Sequence, residues 1–420
     1  MGRLLFWIEG RAAPLAYTIC AFVVLACWAI VLMEGPVLKS TDEADFLGIA
    51  RGVVEEGQYA REGALTAYRA PGLVFFLLPV VSFGGDLVAG RMALAVLLGG
   101  TLALCFDLVR RNASGAAGVL AVLMIPAWPV VVYSATTLYP QMLAAFLLVL
   151  VVWALDRFCR ERRTRYAAIG GLGYGLLALT TPVALALSPL LALFVLLRRA
   201  WLWKPALVFF LVAALTVGSW TARNYAAFGA FIPVATTSGY NLLAGNAPDA
   251  RYDTSLDVRF PEHVYTAITG KSELERDRIM QAAALEEMAR DPMRTITLTA
   301  AKFLHWFDYS NTLMSDDVLE SGASAVRVST REVILLTSYL AVIALPLVAR
   351  LALLRHFPFT PFERLALALW IAAGLFYAFY FTRVRFRMPY DVLVIASNAI
   401  FLAAVIERFV RRRDGLTAPR

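Results

Sequence analysis

The 420-residue sequence is poor in charge, histidine and cysteine. Charged residues make up only 17% of it against 60% apolar, which excludes an ordinary soluble domain. It has no basic domain and no zinc-type spacing, so nothing points to nucleic acid. Four cysteines offer no disulfide framework. Cys20, Cys27 and Cys105 lie in apolar runs and Cys159 beside a basic cluster, where each serves as a small core hydrophobe. No long Ser/Gly/Pro linker and no internal repeat divides the chain.

What the chain does have is long apolar runs. A run of about 17–20 apolar residues crosses the roughly 30 Å hydrocarbon core of a bilayer. Such runs predict spanning helices near 12–33, 87–109, 115–133, 141–158, 166–181, 182–197, 204–220, 331–354, 364–381 and 391–409. The first is too long and too poorly flanked for a cleaved signal peptide. Basic residues orient the set. Arg3 and Arg11, Arg110 and Arg111, the run RERRTR (Arg160 to Arg165), Arg198 and Arg199, Arg355, and Arg411 to Arg413 all fall on one side if ten helices cross and both termini are cytoplasmic. The remaining apolar run, Ala70 to Phe83, rises only about 21 Å as a helix and is expected as a half-inserted or re-entrant segment on the outer face.

The expectation is an all-α, polytopic integral membrane bundle of about ten helices. One domain covers 1–411, with outer loops at 34–86 and 221–330 and a cytoplasmic tail at 412–420. The short helices at 166–181 and 182–197 also fit one shallow hairpin, which leaves the orientation unchanged.

Directly after the first helix comes STDEADFLGIARGV, with Asp42, Glu43 and Asp45 within four residues. Ser40 and Glu43 have the spacing of a capping box, and Phe46, Ile49, Ala50 and Val53 form an apolar stripe. This predicts an amphipathic helix on the outer membrane surface. Capping accounts for Glu43 but not for Asp42 or Asp45. A carboxylate held ionised at a helix start has properties useful in a general base.

Five arginines sit at the outer membrane boundary, against the orientation trend: Arg69 in YRAPG, Arg223 in SWTARNY, and Arg383, Arg385 and Arg387 in FTRVRFRMPYD. Guanidinium forks match phosphate oxygens, so arginines gathered from three segments point to an anion at headgroup depth. Arg383, Arg385 and Arg387 share one side if extended; Arg383 and Arg387 share one face if helical. Asp42 is expected to share a cavity with Arg69 and at least one of Arg223, Arg383 and Arg387.

The stretches TDEADFLGIARGV, YRAPG and WTARNYAAFGAFIPVATTSGYNLLAGNAPDA (Trp220 to Ala250) resemble bacterial members of the GT-C glycosyltransferase superfamily, in the branch of protein O-mannosyltransferases and aminoarabinose transferases. The resemblance runs from about Leu4 to Arg411. It implies a membrane bundle whose first outer loop carries a catalytic acid. It also implies transfer of a hexosyl or pentosyl group from a polyprenyl-phosphate carrier, with inversion. The acceptor would be an extracytoplasmic lipid, glycan or protein, and the setting the bacterial inner membrane. The position matching the family's catalytic aspartate is Asp42, with Glu43 beside it, and Arg69 stands where relatives carry a basic residue facing the donor phosphate. The chain departs from the pattern at TLYPQ, which has Tyr139 where many relatives have a glutamate, and at Thr181-Pro182, where many have arginine before the proline.

Asp42, Glu43 and Asp45 are therefore the catalytic candidates, and Arg69, Arg223, Arg383, Arg385 and Arg387 the phosphate candidates. Tyr240, Asn241 and Asn246, in the polar loop TTSGYNLLAGN, are candidate sugar contacts, although Asn and Gly also simply form turns. No cofactor is expected; a divalent metal bridging Asp42 or Asp45 to the phosphate is an alternative, but two acids without a third ligand make a poor all-protein site, so no metal is assigned. His305, Trp306, Phe307 and Tyr309 are expected at the membrane interface, and Ser272 to Pro292 as an amphipathic lid or packing helix. Two other classes fit a polytopic envelope protein: a transporter or flippase of lipid-linked sugars, and a non-catalytic assembly protein for envelope polysaccharide. Transporters tend to repeat their halves and place ionisable groups at mid-membrane, whereas here they gather at the outer edge.

Overall fold

The computed structural model describes residues 7–197, 203–253, 258–309 and 325–413. Arg3, Arg198, Arg199 and the tail from residue 414 lie outside the described residues.

The helices are α1 (Ala12–Glu34), α2 (Thr41–Glu56), α3 (Pro71–Ser82), α4 (Leu87–Asn112), α5 (Gly115–Met124), α6 (Pro129–Ala135), α7 (Pro140–Glu161), α8 (Thr164–Thr180), α9 (Ser188–Leu197) and α10 (Trp203–Phe228). They continue with α11 (Ser238–Asn246), α12 (Glu262–Ile268), α13 (Glu273–Arg290), α14 (Pro292–His305), α15 (Ala325–Tyr339), α16 (Leu345–Ala352), α17 (Pro361–Ala378) and α18 (Val384–Arg413). A π-helical turn, Leu340–Ala344, joins α15 to α16.

Among the described residues, seven helices are long and apolar enough to cross a membrane, or eight if α5 and α6 count as one bent span. The ten expected crossings include segments that fall short of this. The run at 115–133 is not one straight helix: Pro126 and Pro129 interrupt it, and α5 and α6 meet at 72°. The run at 166–197 breaks at Thr181-Pro182, where a 3-10 turn (Pro182–Leu187) leads into α9. α7 and α18 form the interior, with 78% and 61% of their apolar windows buried. α1 and α10 are peripheral and turn residues such as Phe22, Leu25, Leu207 and Leu215 outward, as lipid-facing helices do.

Two elements, α2 and α3, shape one end of the bundle. α2 starts at the Ser40 cap, whose hydroxyl accepts from the Asp42 amide at 3.1 Å, and buries Phe46, Leu47, Ile49 and Ala50. α3, the short run at 70–83, is a twelve-residue helix packed against α2 and α8, with Leu73, Val74 and Leu77 fully buried. Gly72 permits that packing, because a Cβ there would strike the backbone of Thr180. Between α2 and α3 lies a small hairpin, Ala60–Arg61 with Ala64–Leu65. Its two-residue turn, Glu62-Gly63, takes positive φ at both positions, the geometry that matches strand twist.

Candidate functional site

A cavity of about 430 Å³ opens at one end of the bundle. Asp42 from the first turn of α2 lines it, with Arg69 just before α3, Tyr139 just before α7 and Arg385 in the first turn of α18. Asp42 accepts from Arg69 Nη2 through Oδ1 and from the Tyr139 hydroxyl through Oδ2, at 2.7 Å in the second case. The same Arg69 nitrogen reaches Asp45 Oδ2 at 2.8 Å, and Asp45 Oδ1 takes Arg61 Nε at 3.1 Å. Burial by itself would raise the Asp42 carboxyl. The Arg69 charge, the Tyr139 hydrogen bond and the Arg385 charge outweigh it and hold Asp42 below the usual carboxylate range.

The guanidinium of Arg385 lies 4.6 Å from the centroid of the Tyr139 ring, whose hydroxyl holds Asp42. Arg383 is buried beside it. Burial, then the like charge of Arg385, lowers Arg383 to about 9, against the pull of Tyr139, Asp42 and Tyr240. Two cations forced together in this way favour an added negative charge.

Helix ends supply further positive potential. Ala70, Tyr139 and Thr237 all line the cavity, and each stands at the N-cap of a helix (α3, α7 and α11) with no side-chain cap. Pro71 and Pro140 occupy the first turn of two of these helices, where a missing N–H costs nothing. Free N–H groups at a helix start carry a partial positive charge, and the starts of α3 and α7 suit an anion; at α11 the Gly239 amide is already taken by the Asp277 carboxylate.

The loops bearing these groups are pinned from outside by α13, as a packing helix. Glu273 accepts from Thr66 Oγ1 at 2.6 Å, from the Ala67 amide at 3.0 Å and from Thr236 Oγ1. Asp277 accepts from the Gly239 amide at 2.7 Å, at the start of α11. The far end of α11 meets cations, as its dipole favours. The Lys302 ammonium donates to the Gly245 and Tyr380 carbonyls, and Arg294 donates to those of Ala247, Pro248 and Ala250.

Of the expected site residues, Asp42, Arg69, Tyr240, Asn241 and Arg385 line the cavity; Glu43, Asp45, Arg223, Asn246, Arg383 and Arg387 do not. Glu43 is fully buried on the other side of α2. It takes Arg91 Nε at 3.0 Å and Nη2 at 2.6 Å, and also the amides of Lys39 and Leu138 at 2.7 Å each. The capping box therefore does not form: Glu43 reaches the Lys39 amide, one residue before the cap. Asp45 braces Arg69 and Arg61. Arg223 donates to the Thr66 and Tyr59 carbonyls at 2.9 and 3.0 Å and stacks on Trp220. Arg387 pairs with Asp391 and caps the Trp306 and Asp308 carbonyls. Asn246 donates to the Leu242 and Phe379 carbonyls.

The expected company for Asp42 and Arg69 is thus corrected: the further arginine in the cavity is Arg385. The last helix begins at Val384, so Arg385 and Arg387 point about 200° apart. Trp306 is no interfacial residue: it is buried and stacks on Tyr377. Tyr139 and Gln141 were missed as site residues. The only signal in the sequence was that TLYPQ departs from the pattern it resembles.

No protein-family model and no curated protein matches the chain. Solved structures do. The apo oligosaccharyltransferase from Archaeoglobus fulgidus superposes with a TM-score of 0.54, at 16% identity, over 97% of this chain and 51% of that one. The two share a fold. The chain spans about half the length of that neighbour, and the GT-C-like fold expected from the sequence is the fold observed. ArnT from Cupriavidus metallidurans bound to undecaprenyl phosphate is a further similar structure, with a TM-score of 0.47 and 15% identity, over 96% of this chain and 81% of that one.

Proposed function

We propose that the chain is a membrane glycosyltransferase that moves a sugar from a polyprenyl-phosphate carrier to an extracytoplasmic acceptor, with inversion. The observation that carries this reading is a carboxylate held ionised at 42 that shares a cavity with Arg385 and with the uncapped starts of α3 and α7. A base and an anion site in one cavity are what displacement of a lipid phosphate from an anomeric carbon requires. The shared fold with an oligosaccharyltransferase agrees with it.

In this reaction the acceptor hydroxyl or amine attacks the anomeric carbon from the face opposite the phosphate. The bond from that carbon to the phosphate oxygen breaks, and its electron pair leaves on the lipid phosphate. Asp42 takes the acceptor's proton, which becomes acidic as the new bond forms. Arg69 and Tyr139 fix the two carboxylate oxygens, so the base is presented in one orientation. The leaving phosphate needs charge stabilisation rather than a proton, and Arg385 with the helix starts supplies it from fixed positions. Glu43 serves as scaffold and Asp45 as a brace for Arg69.

The test is release of undecaprenyl phosphate from undecaprenyl-phosphoryl sugars by the purified protein in nanodiscs. A parallel comparison of envelope glycolipids and polysaccharides from cells with and without the gene names the acceptor class. Failure to bind undecaprenyl phosphate would remove the anion site from the argument.

A further inference from the structure

At the floor of the cavity three aromatic rings stack in a column. Trp306 lies on Tyr377 at 5.5 Å and 18°, and Tyr377 on Phe386 at 5.1 Å and 13°. Trp306 is fully buried, so the column is anchored, and Tyr377 and Phe386 line the cavity. Gln141, in the first turn of α7, lines the cavity too. Tyr377, Phe386 and Gln141 also border a second, small void of about 10 Å³. Thr181, where the chain breaks between α8 and the 3-10 turn, borders both spaces.

Gln141 is only 5% exposed, and its Oε1 accepts no hydrogen bond among the described residues. A buried, unsatisfied amide oxygen is destabilising, and leucine or methionine would fill the same place without that cost. A carboxamide offers an acceptor and two donors but no charge. Aromatic rings beside an amide match a sugar ring, which has apolar C–H surface and hydroxyls at its rim, and the Arg385 guanidinium, 5.2 Å over the Phe386 ring, adds a donor at the same place. The charged groups on the cavity wall are Asp42, Arg69 and Arg385, and Asp42 is already held by Arg69 and Tyr139. An ammonium-bearing sugar would meet Arg385 and the helix starts, with no other carboxylate on the wall among the described residues.

We propose that Gln141 and the Phe386 end of the ring column form the sugar subsite, and that the sugar it takes is uncharged and hydroxylated. This rests on the polyprenyl-phosphate reading above and names the class of group that the carrier delivers.

The test measures binding in nanodiscs to three lipids of matched phosphodiester charge: undecaprenyl phosphate esterified to glucose, to glucosamine, or to methanol. The wild type should bind the glucosyl lipid at least about tenfold more tightly than the methyl ester and the glucosaminyl lipid. Gln141→Met and Phe386→Leu should each bring the glucosyl-to-methyl ratio down by about tenfold, while binding of the methyl ester reports that the variant is folded. Equal binding of glucosyl and methyl lipids by the wild type overturns the subsite and leaves the phosphate reading standing. Equal binding of glucosyl and glucosaminyl lipids overturns the uncharged class. A wild-type ratio in Gln141→Met removes Gln141. Binding of none of the three overturns the phosphate reading itself.

Discussion

The Tyr139 hydroxyl donates to Asp42 Oδ2 at 2.7 Å and lies 3.0 Å from the Ser40 hydroxyl. A serine that caps α2, a tyrosine that precedes α7 and the candidate base thus form one chain of hydrogen bonds. The phenol stabilises the ionised form of Asp42, so its removal raises the Asp42 pKa. A hydrogen bond to a charged group is worth about 1.5–3 kcal/mol, or roughly 1–2 pH units. Asp42 is depressed in the folded protein, so activity that needs the carboxylate is lost as pH falls through that depressed value. In Tyr139→Phe the loss should begin at higher pH, with the acid limb of the transfer rate moved up by about one unit or more. An unmoved limb would show that the phenol does not tune Asp42.

Arg69 and Arg385 should separate on mutation. Arg69 bridges two carboxylates, and its removal leaves Asp42 and Asp45 facing each other with Arg61 on Asp45 alone. Arg69→Ala should therefore lower the melting temperature and raise the Asp42 pKa together. Arg69→Lys, which keeps the charge without the fork, should lose less. Arg385→Ala should lower the melting temperature less than Arg69→Ala and weaken binding of undecaprenyl phosphate by about tenfold or more, with a reduced dependence on salt. Binding and melting measured on the same samples decide it; identical profiles for the two variants would contradict the division of roles.

The sequence placed Glu43 beside Asp42 with the spacing of a capping box, a position where glutamine serves as well as glutamate. The structure reverses this. Glu43 and Arg91 have no exposed side-chain surface, so neutral glutamine leaves Arg91 buried without its counter-charge. Breaking such a pair costs about 3–5 kcal/mol. Glu43→Gln should fold poorly, as seen by thermal melting, whereas Asp42→Asn, in which Asp45 still pairs Arg69, should melt less far below the wild type, bind the donor and lose transfer by about a hundredfold or more. Near-normal transfer by Asp42→Asn with donor binding intact would exclude it as the base.

The helices were legible because apolar runs of bilayer length leave the chain few alternatives, and the α2 stripe because Phe46, Ile49 and Ala50 fall on one face. The breaks were less so. Pro126, Pro129 and Pro182 mark them in the sequence, but whether a proline bends a span or ends it depends on what packs there. The arginines were the hardest to assign. Arg223, Arg385 and Arg387 look alike as residues, yet Arg223 and Arg387 serve backbone carbonyls and Arg385 faces the cavity. Those carbonyls lie 79 to 164 residues away in the chain, and no local pattern reports them. Glu43 is the same case, since its partner Arg91 is 48 residues distant.

The orientation of the bundle gives the last prediction. α7 has 22 residues and is about 33 Å long. Its first turn lines the cavity, and its C-cap is Arg162, within the basic run RERRTR. The cavity and Arg162 therefore lie one bilayer thickness apart. Arginines concentrate on cytoplasmic loops, so Arg162 is predicted inside and the cavity outside. Single cysteines introduced at exposed positions into a variant lacking the four buried native ones should then divide cleanly. A cysteine at Glu62, in the hairpin between α2 and α3, or at Glu286 on α13 should react in intact cells with a membrane-impermeant maleimide. A cysteine at Arg163 should react only after the membrane is opened. Labelling at 163 from outside would invert the whole arrangement and place Asp42, Arg385 and the proposed transfer on the cytoplasmic face.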